Sequence, residues 1–220
     1  MSLDFSFLIP YLPQLAAAAR VTLTIGVFSF VLALAVSVLV GVLRSGRLPW
    51  IVNFLLGIYV EIFRNTPLLI QLFFIYYGLP TFGIVLTPVT AAVIGLSLNS
   101  GAYMSEVVRA AISSVNKGQY EAAFCLGYNR YQVFLHIVLP QAFRIALPTL
   151  MNYFTTMIKE TSLVSVLSIA ELTRVGSQIY ARTLSPFEIY ITIGAVYFVM
   201  TYSVALLCRW VEKKGIKWTP

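Results

Sequence analysis

The chain has 220 residues, of which 59% are hydrophobic and only 10% charged. A soluble domain carries roughly 45–50% apolar and about 25% charged residues, so this composition excludes a water-clothed globule, a disordered chain and, despite a net charge of +7, a nucleic-acid-binding domain. It reads as an all-α integral membrane protein. About 20 apolar residues cross a bilayer as a helix, which leaves room for five or six crossings and no separate soluble domain.

Residues 1–20 carry no basic stretch ahead of their apolar part and no clear cleavage site, and are expected to be retained. The first expected span is 21–43, uncharged until the basic turn at Arg44, Arg47 and Pro49. The second, 48–79, contains Glu61 and Arg64 and is punctuated at Pro67. From Asn65 to Ser105 no charge occurs, more than one span needs, and Gly78, Pro80, Gly83 and Pro88 mark the turn within it. The third span is 89–111, a polar stretch covers 113–131, and the fourth span, 133–158, is interrupted by Pro140 and Pro148. Residues 159–188 read as mixed and loop-like. The fifth span is 189–208, followed by Arg209, Lys213, Lys214 and Lys217. The whole of 1–220 is thus expected to form one polytopic domain of five transmembrane helices.

Five spans put the termini on opposite sides. One side holds Arg44, Arg47, Arg109, Lys117, Arg130 and the basic C-terminal residues; the other holds Arg20, Lys159, Arg174 and Arg182. The positive-inside bias makes the first side cytoplasmic, with the C-terminus, and leaves the N-terminus outside. Cys125, Cys208 and the single histidine, His136, form no metal or catalytic constellation.

The cytoplasmic stretch contains Glu121-Ala122-Ala123, then Gly127, then Ile137-Val-Leu139-Pro140. This complete spacing resembles the EAA loop of the membrane subunits of ABC importers. Glu61-Ile-Phe-Arg64-Asn65-Thr66-Pro67 with Gln71, and Lys159-Glu160-Thr161-Ser162, resemble the polar amino-acid (histidine, glutamine, arginine) branch of that family. The likeness covers nearly the whole chain. It implies a type I ABC importer transmembrane fold in a bacterial or archaeal plasma (inner) membrane. It also implies a coupling helix that docks on an ATPase subunit dimer through Glu121, Ala122, Ala123 and Gly127, where an unaided reading sees only an interhelical turn. Further implied partners are a second copy of the chain or a similar permease, an extracytoplasmic substrate-binding protein, the amino-acid substrate and membrane lipid. The chain has no G-x-x-x-x-G-K-[S/T] sequence, so it holds no cofactor of its own; ATP and magnesium belong to the partner ATPase.

Charges and polar groups at membrane depth are costly and mark a pathway or site. Arg64 lies about 24 Å along a helix from Leu48 at 1.5 Å per residue, beside a proline-interrupted helix whose freed backbone can bind ligand. Glu61, three residues earlier, could instead simply pair with it. Asn99 and Ser100 lie near the midplane, with Tyr103 and Glu106 on the Asn99 face. They suit either a cavity or helix–helix hydrogen bonding. Glu160, Thr161 and Ser162 close the fourth span, at the solvated outer interface or, as the resemblance implies, along the path. The candidate substrate residues are therefore Arg64, Asn65, Thr66, Gln71, Asn99, Ser100, Tyr103, Glu160, Thr161 and Ser162. The function expected is ATP-driven uptake of a polar amino acid, with Glu160 favouring a basic side chain. An ion-coupled secondary transporter or channel would leave the EAA loop unexplained, and an intramembrane enzyme would lack a nucleophile–base pair.

Overall fold

The computed structural model describes residues 5–46 and 48–215, with the backbone alone for 214 and 215. Arg47, Lys217 and the side chain of Lys214, used above for orientation, lie outside the described residues. Every regular element described is helical.

A short 3₁₀ turn, Ser6–Tyr11, leads directly into α1, Leu12–Ser45. The helix begins well before residue 21. Pro13 sits in the first turn, where its missing N–H costs nothing, and the alanines before Arg20 are strong helix formers. α2, Trp50–Asn65, ends at Thr66, whose extended backbone (φ −118°, ψ 146°) is the conformation a following proline imposes. α3, Leu68–Phe73, continues through a π turn, Phe74–Gly78, and a 3₁₀ turn, Leu79–Phe82. The axis bends by 112° between the two halves, so residues 48–79 form a bent pair rather than one straight rod.

α4, Pro88–Ser113, is capped by the Thr87 hydroxyl, which accepts from Thr90 N at 3.2 Å. α5, Lys117–Cys125, and α6, Arg130–Val133, form the polar stretch. A π turn, Phe134–Val138, then joins α6 to α7, Leu139–Glu160. Pro140 has no N–H to give, and Leu139 N reaches back five residues to the Phe134 carbonyl, which widens the turn. α7 runs on as a 3₁₀ segment, Thr161–Leu167.

Residues 159–188 are not loop-like. They hold that segment and α8, Leu172–Thr183, before α9, Pro186–Gly215. α8 escapes a hydropathy reading because its apolar face is narrow: Leu172, Val175, Gly176 and Ile179 are buried at helical spacing while most of the rest is polar. The fully buried Glu171 caps it, accepting from Arg174 N at 2.6 Å, Thr173 N at 2.9 Å and the Tyr197 hydroxyl at 3.0 Å. Burial pushes this carboxyl above the usual carboxylate range against the pull of those donors.

Three described stretches, Ser6–Ser45, Arg130–Leu167 and Pro186–Lys213, are long and apolar enough to cross a membrane, and the bent α2–α3 pair qualifies when taken together. α4 is less apolar because it occupies the centre of the molecule. Its Ser97, Asn99, Ser100 and Ser105 are buried against protein. α4 packs along α1, where a Cβ on Gly41 would stand 2.7 Å from the Ser105 carbonyl oxygen. Ser97 donates across this seam to Ser29 O at 3.1 Å. At the far end of α1 the Glu106 carboxylate takes both Arg44 and, at 2.6 Å, Arg109.

Candidate functional site: a broken helix, a polar face and a surface loop

The last turn of an α-helix leaves carbonyls without intrahelical donors, and at the end of α2 side chains close those of Glu61, Ile62, Phe63, Arg64 and Thr66. Asn65 Nδ2 donates to Glu61 O at 2.8 Å and Thr66 Oγ1 to Ile62 O at 2.8 Å. Gln71 Nε2 reaches back from α3 to Phe63 O at 3.0 Å, Thr66 O at 3.0 Å and Thr66 Oγ1 at 2.8 Å. Asn99 Nδ2, from α4, donates to Phe63 O and to Gln71 Oε1, both at 3.0 Å. The Tyr103 hydroxyl donates to Arg64 O at 2.8 Å.

The break therefore offers no free backbone carbonyl at these positions. Asn65, Thr66, Gln71 and Asn99 spend their donors holding the bend. What it presents instead is Arg64. Its guanidinium lies 5.5 Å from the Tyr103 ring centroid and is exposed. Among the described residues no carboxylate lies within ion-pair distance of it. The Glu61 carboxylate holds Asn65 Nδ2 at 2.8 Å rather than Arg64.

Tyr103 leads from Arg64 to α7, stacking on Tyr153 at 6.5 Å between centroids. Tyr153 lies on α7 seven residues before Glu160, and Ser100 faces the Glu160 carboxylate. Arg64, Tyr103, Tyr153, Ser100 and Glu160 thus converge from three helices on one polar face. Tyr153, Tyr103 and Glu160 are each half-buried, so the face is open. Thr161 belongs elsewhere: it is fully buried and donates to Ile158 O at 2.7 Å. Ser162 is half-buried in the following 3₁₀ segment, and Lys159 is exposed. Sequence reasoning missed Tyr153. The available signal was its position seven residues before Glu160, on the same stripe of a helix.

The surface loop is built with equal care. Asn116 Oδ1 accepts from Gly118 N at 2.8 Å and starts α5. Gly127, at φ +83°, ends it in a Schellman arrangement. Gly127 N donates to Phe124 O at 3.0 Å and Tyr128 N to Ala123 O at 3.1 Å. Asn129 and Gln132 then form a reciprocal capping box, both bonds 2.9 Å, that starts α6. Ala123 turns inward onto the core, whereas Glu121 and Ala122 face outward. Phe124, Leu126 and Tyr131 around them are exposed, Leu126 to 79%.

Residues 33–216 match the family described as binding-protein-dependent transport system inner membrane component. The chain is 37% identical over 206 residues to the L-cystine transport system permease protein TcyB of Bacillus subtilis, covering 92% of this chain and 86% of that protein. It is 36% identical over 216 residues to the glutamine transport system permease protein GlnP of Escherichia coli, covering 97% and 98%. A crystal structure of an amino acid ABC transporter with histidines matches with a TM-score of 0.90 at 35% identity, covering 97% of this chain and 100% of that one. With both the sequence match and the shared fold in place, the chain belongs to the binding-protein-dependent transport system inner membrane components.

Proposed function

We propose that this chain is the permease subunit of an ATP-driven importer for a polar amino acid, and that a basic side chain is favoured. The observation that carries this reading is the open face on which an unpaired guanidinium and a half-buried carboxylate are joined by two tyrosines. An amino acid is a zwitterion. Arg64 offers a planar fork for its carboxylate, and Glu160 suits its ammonium or a cationic side chain. Because the face is open in one chain, a second copy or a similar permease completes the path. The names of the relatives, cystine and glutamine permeases among them, support an amino-acid cargo.

The chain crosses the membrane five times in this reading, with α2–α3 as the bent crossing, α4 as the central one, the N-terminus outside and the C-terminus in the cytoplasm. The loop at Glu121, Ala122 and Gly127 rests on a pair of cytoplasmic ATPase subunits, which bind ATP and magnesium. Ala123 anchors that loop to the permease core. On the opposite side an extracytoplasmic binding protein delivers substrate. The test is a reconstituted permease–ATPase complex screened across amino acids for substrate-dependent ATP hydrolysis and uptake. Uptake driven by an ion gradient, with no ATPase subunit co-purifying, would sink the proposal.

A further inference from the structure

Two hollows adjoin the end of α1, one between α1, α4 and α7 and the other between α1, α5 and α6. The first is a cleft of about 480 Å³ with a wholly apolar lining. Leu34, Val38 and Val42 of α1 face Val108 of α4 and Phe143 and Leu150 of α7 across it. Val38 and Phe143 are 43% and 57% exposed, so the cleft opens sideways to the surroundings of the helices. The second, of about 740 Å³, is partly polar and sits one turn further on, lined by Ser45, Gly46, Arg130, Tyr120, Phe124 and Phe134.

Length and charge together describe the occupant. From Leu34 to Ser45, α1 rises about 16 Å at 1.5 Å per residue, the depth of one leaflet in a hydrocarbon core about 30 Å thick. A partner helix crossing the membrane needs an apolar strip through the whole core, whereas this cleft stops near its middle. At its polar end Arg130 is exposed and makes no ion pair among the described residues. Nearby, Arg44 and Arg109 share the one carboxylate of Glu106, leaving a surplus positive charge. The acid on the adjoining helix, Glu121, is exposed. Basic pockets between helices on the cytoplasmic side suit anionic lipid headgroups. We infer that cleft and mouth together bind one anionic phospholipid of the cytoplasmic leaflet, with an acyl tail between α1 and α7 and the phosphate at Arg130. The inference rests on the membrane orientation proposed above.

Native mass spectrometry of the delipidated permease–ATPase complex, titrated with phosphatidylglycerol or phosphatidylcholine, tests it. Wild type should retain one phosphatidylglycerol per permease chain with several-fold preference over phosphatidylcholine. Arg130→Gln should abolish the preference and Arg130→Lys keep it. Val38→Trp, at an exposed position, should fill the cleft and cut retention of both lipids several-fold. Equal retention of the two lipids by wild type would overturn the inference. So would wild-type retention by both Arg130→Gln and Val38→Trp, or efficient cross-linking of Val38→Cys to a second permease chain. Uptake measured on the same variants separates the two readings, since intact transport without lipid selectivity removes the lipid and leaves the permease.

Discussion

Replacing Gln71 with leucine tests whether the break between α2 and α3 is held shut by side chains or left open for cargo. The substitution keeps the approximate volume and removes an amide that donates to Phe63 O, Thr66 O and Thr66 Oγ1 and accepts from Asn99. Hydrogen bonds of this kind contribute about 0.5–1.5 kcal/mol each, and bonds between helices in a membrane average about 0.6 kcal/mol. Gln71 has two N–H groups and one accepting oxygen in use, so the loss comes to about 2–4 kcal/mol once a stranded carbonyl is included. Unfolding of the purified subunit by denaturing detergent should show this loss. A double-mutant cycle of Gln71→Leu with Asn99→Ala should give a coupling of about 0.6–1.7 kcal/mol. Transport should fall because Arg64 is no longer aimed. A Gln71→Leu protein of unchanged stability whose KM alone rises would refute the reasoning and return Gln71 to the substrate.

Arg64→Lys keeps the charge but loses the bidentate fork, and uptake of every amino-acid substrate should weaken by about tenfold, as 1.4 kcal/mol of a charge-assisted contact converts; unchanged uptake kinetics in proteoliposomes would leave Arg64 no role in cargo binding. Glu160→Gln should lower arginine uptake more than glutamine uptake in parallel assays, and an equal fall would assign Glu160 to the shared ammonium. Gly127→Val meets no neighbour within 4 Å, so its cost is the left-handed backbone itself, about 1–2 kcal/mol. ATPase stimulation and transport should fall together while membrane insertion stays normal, and wild-type transport would contradict the docking role. Tyr197→Phe strips a donor from the fully buried Glu171 and should destabilise the fold by about 1–3 kcal/mol, measurable in the same unfolding assay.

The legible parts of this molecule were those written in local chemistry. The Glu121-Ala122-Ala123 and Gly127 spacing announces the surface helix, and an uninterrupted apolar run announces α1. The Arg-Asn-Thr-Pro stretch was legible as a break but not in its workings. Asn65 and Thr66 look like ligand groups until their partners, the carbonyls of their own helix, are seen. Gln71 and Asn99 are polar residues at depth whose purpose depends on a 112° bend that no spacing rule encodes. α8 was hidden because a helix lying outside the expected spans carries only a narrow buried stripe. Tyr153 was hidden because tyrosine is common in such chains, and only its approach to Tyr103 gives it meaning.

Gly41 has a consequence for motion. With the backbone of α4 already at van der Waals distance from it, α1 has no side-chain layer at that point on which to slide, and the Ser97 bond and the shared Glu106 carboxylate fasten the seam along its length. Close-packed surfaces of this kind resist shear and pass displacement on undiminished. The α5–α6 corner is rooted in the same core cluster as Phe30 and Ala33 of α1 and Met104 and Val108 of α4, so the corner, α1 and α4 are expected to move as one packed body if that corner is displaced.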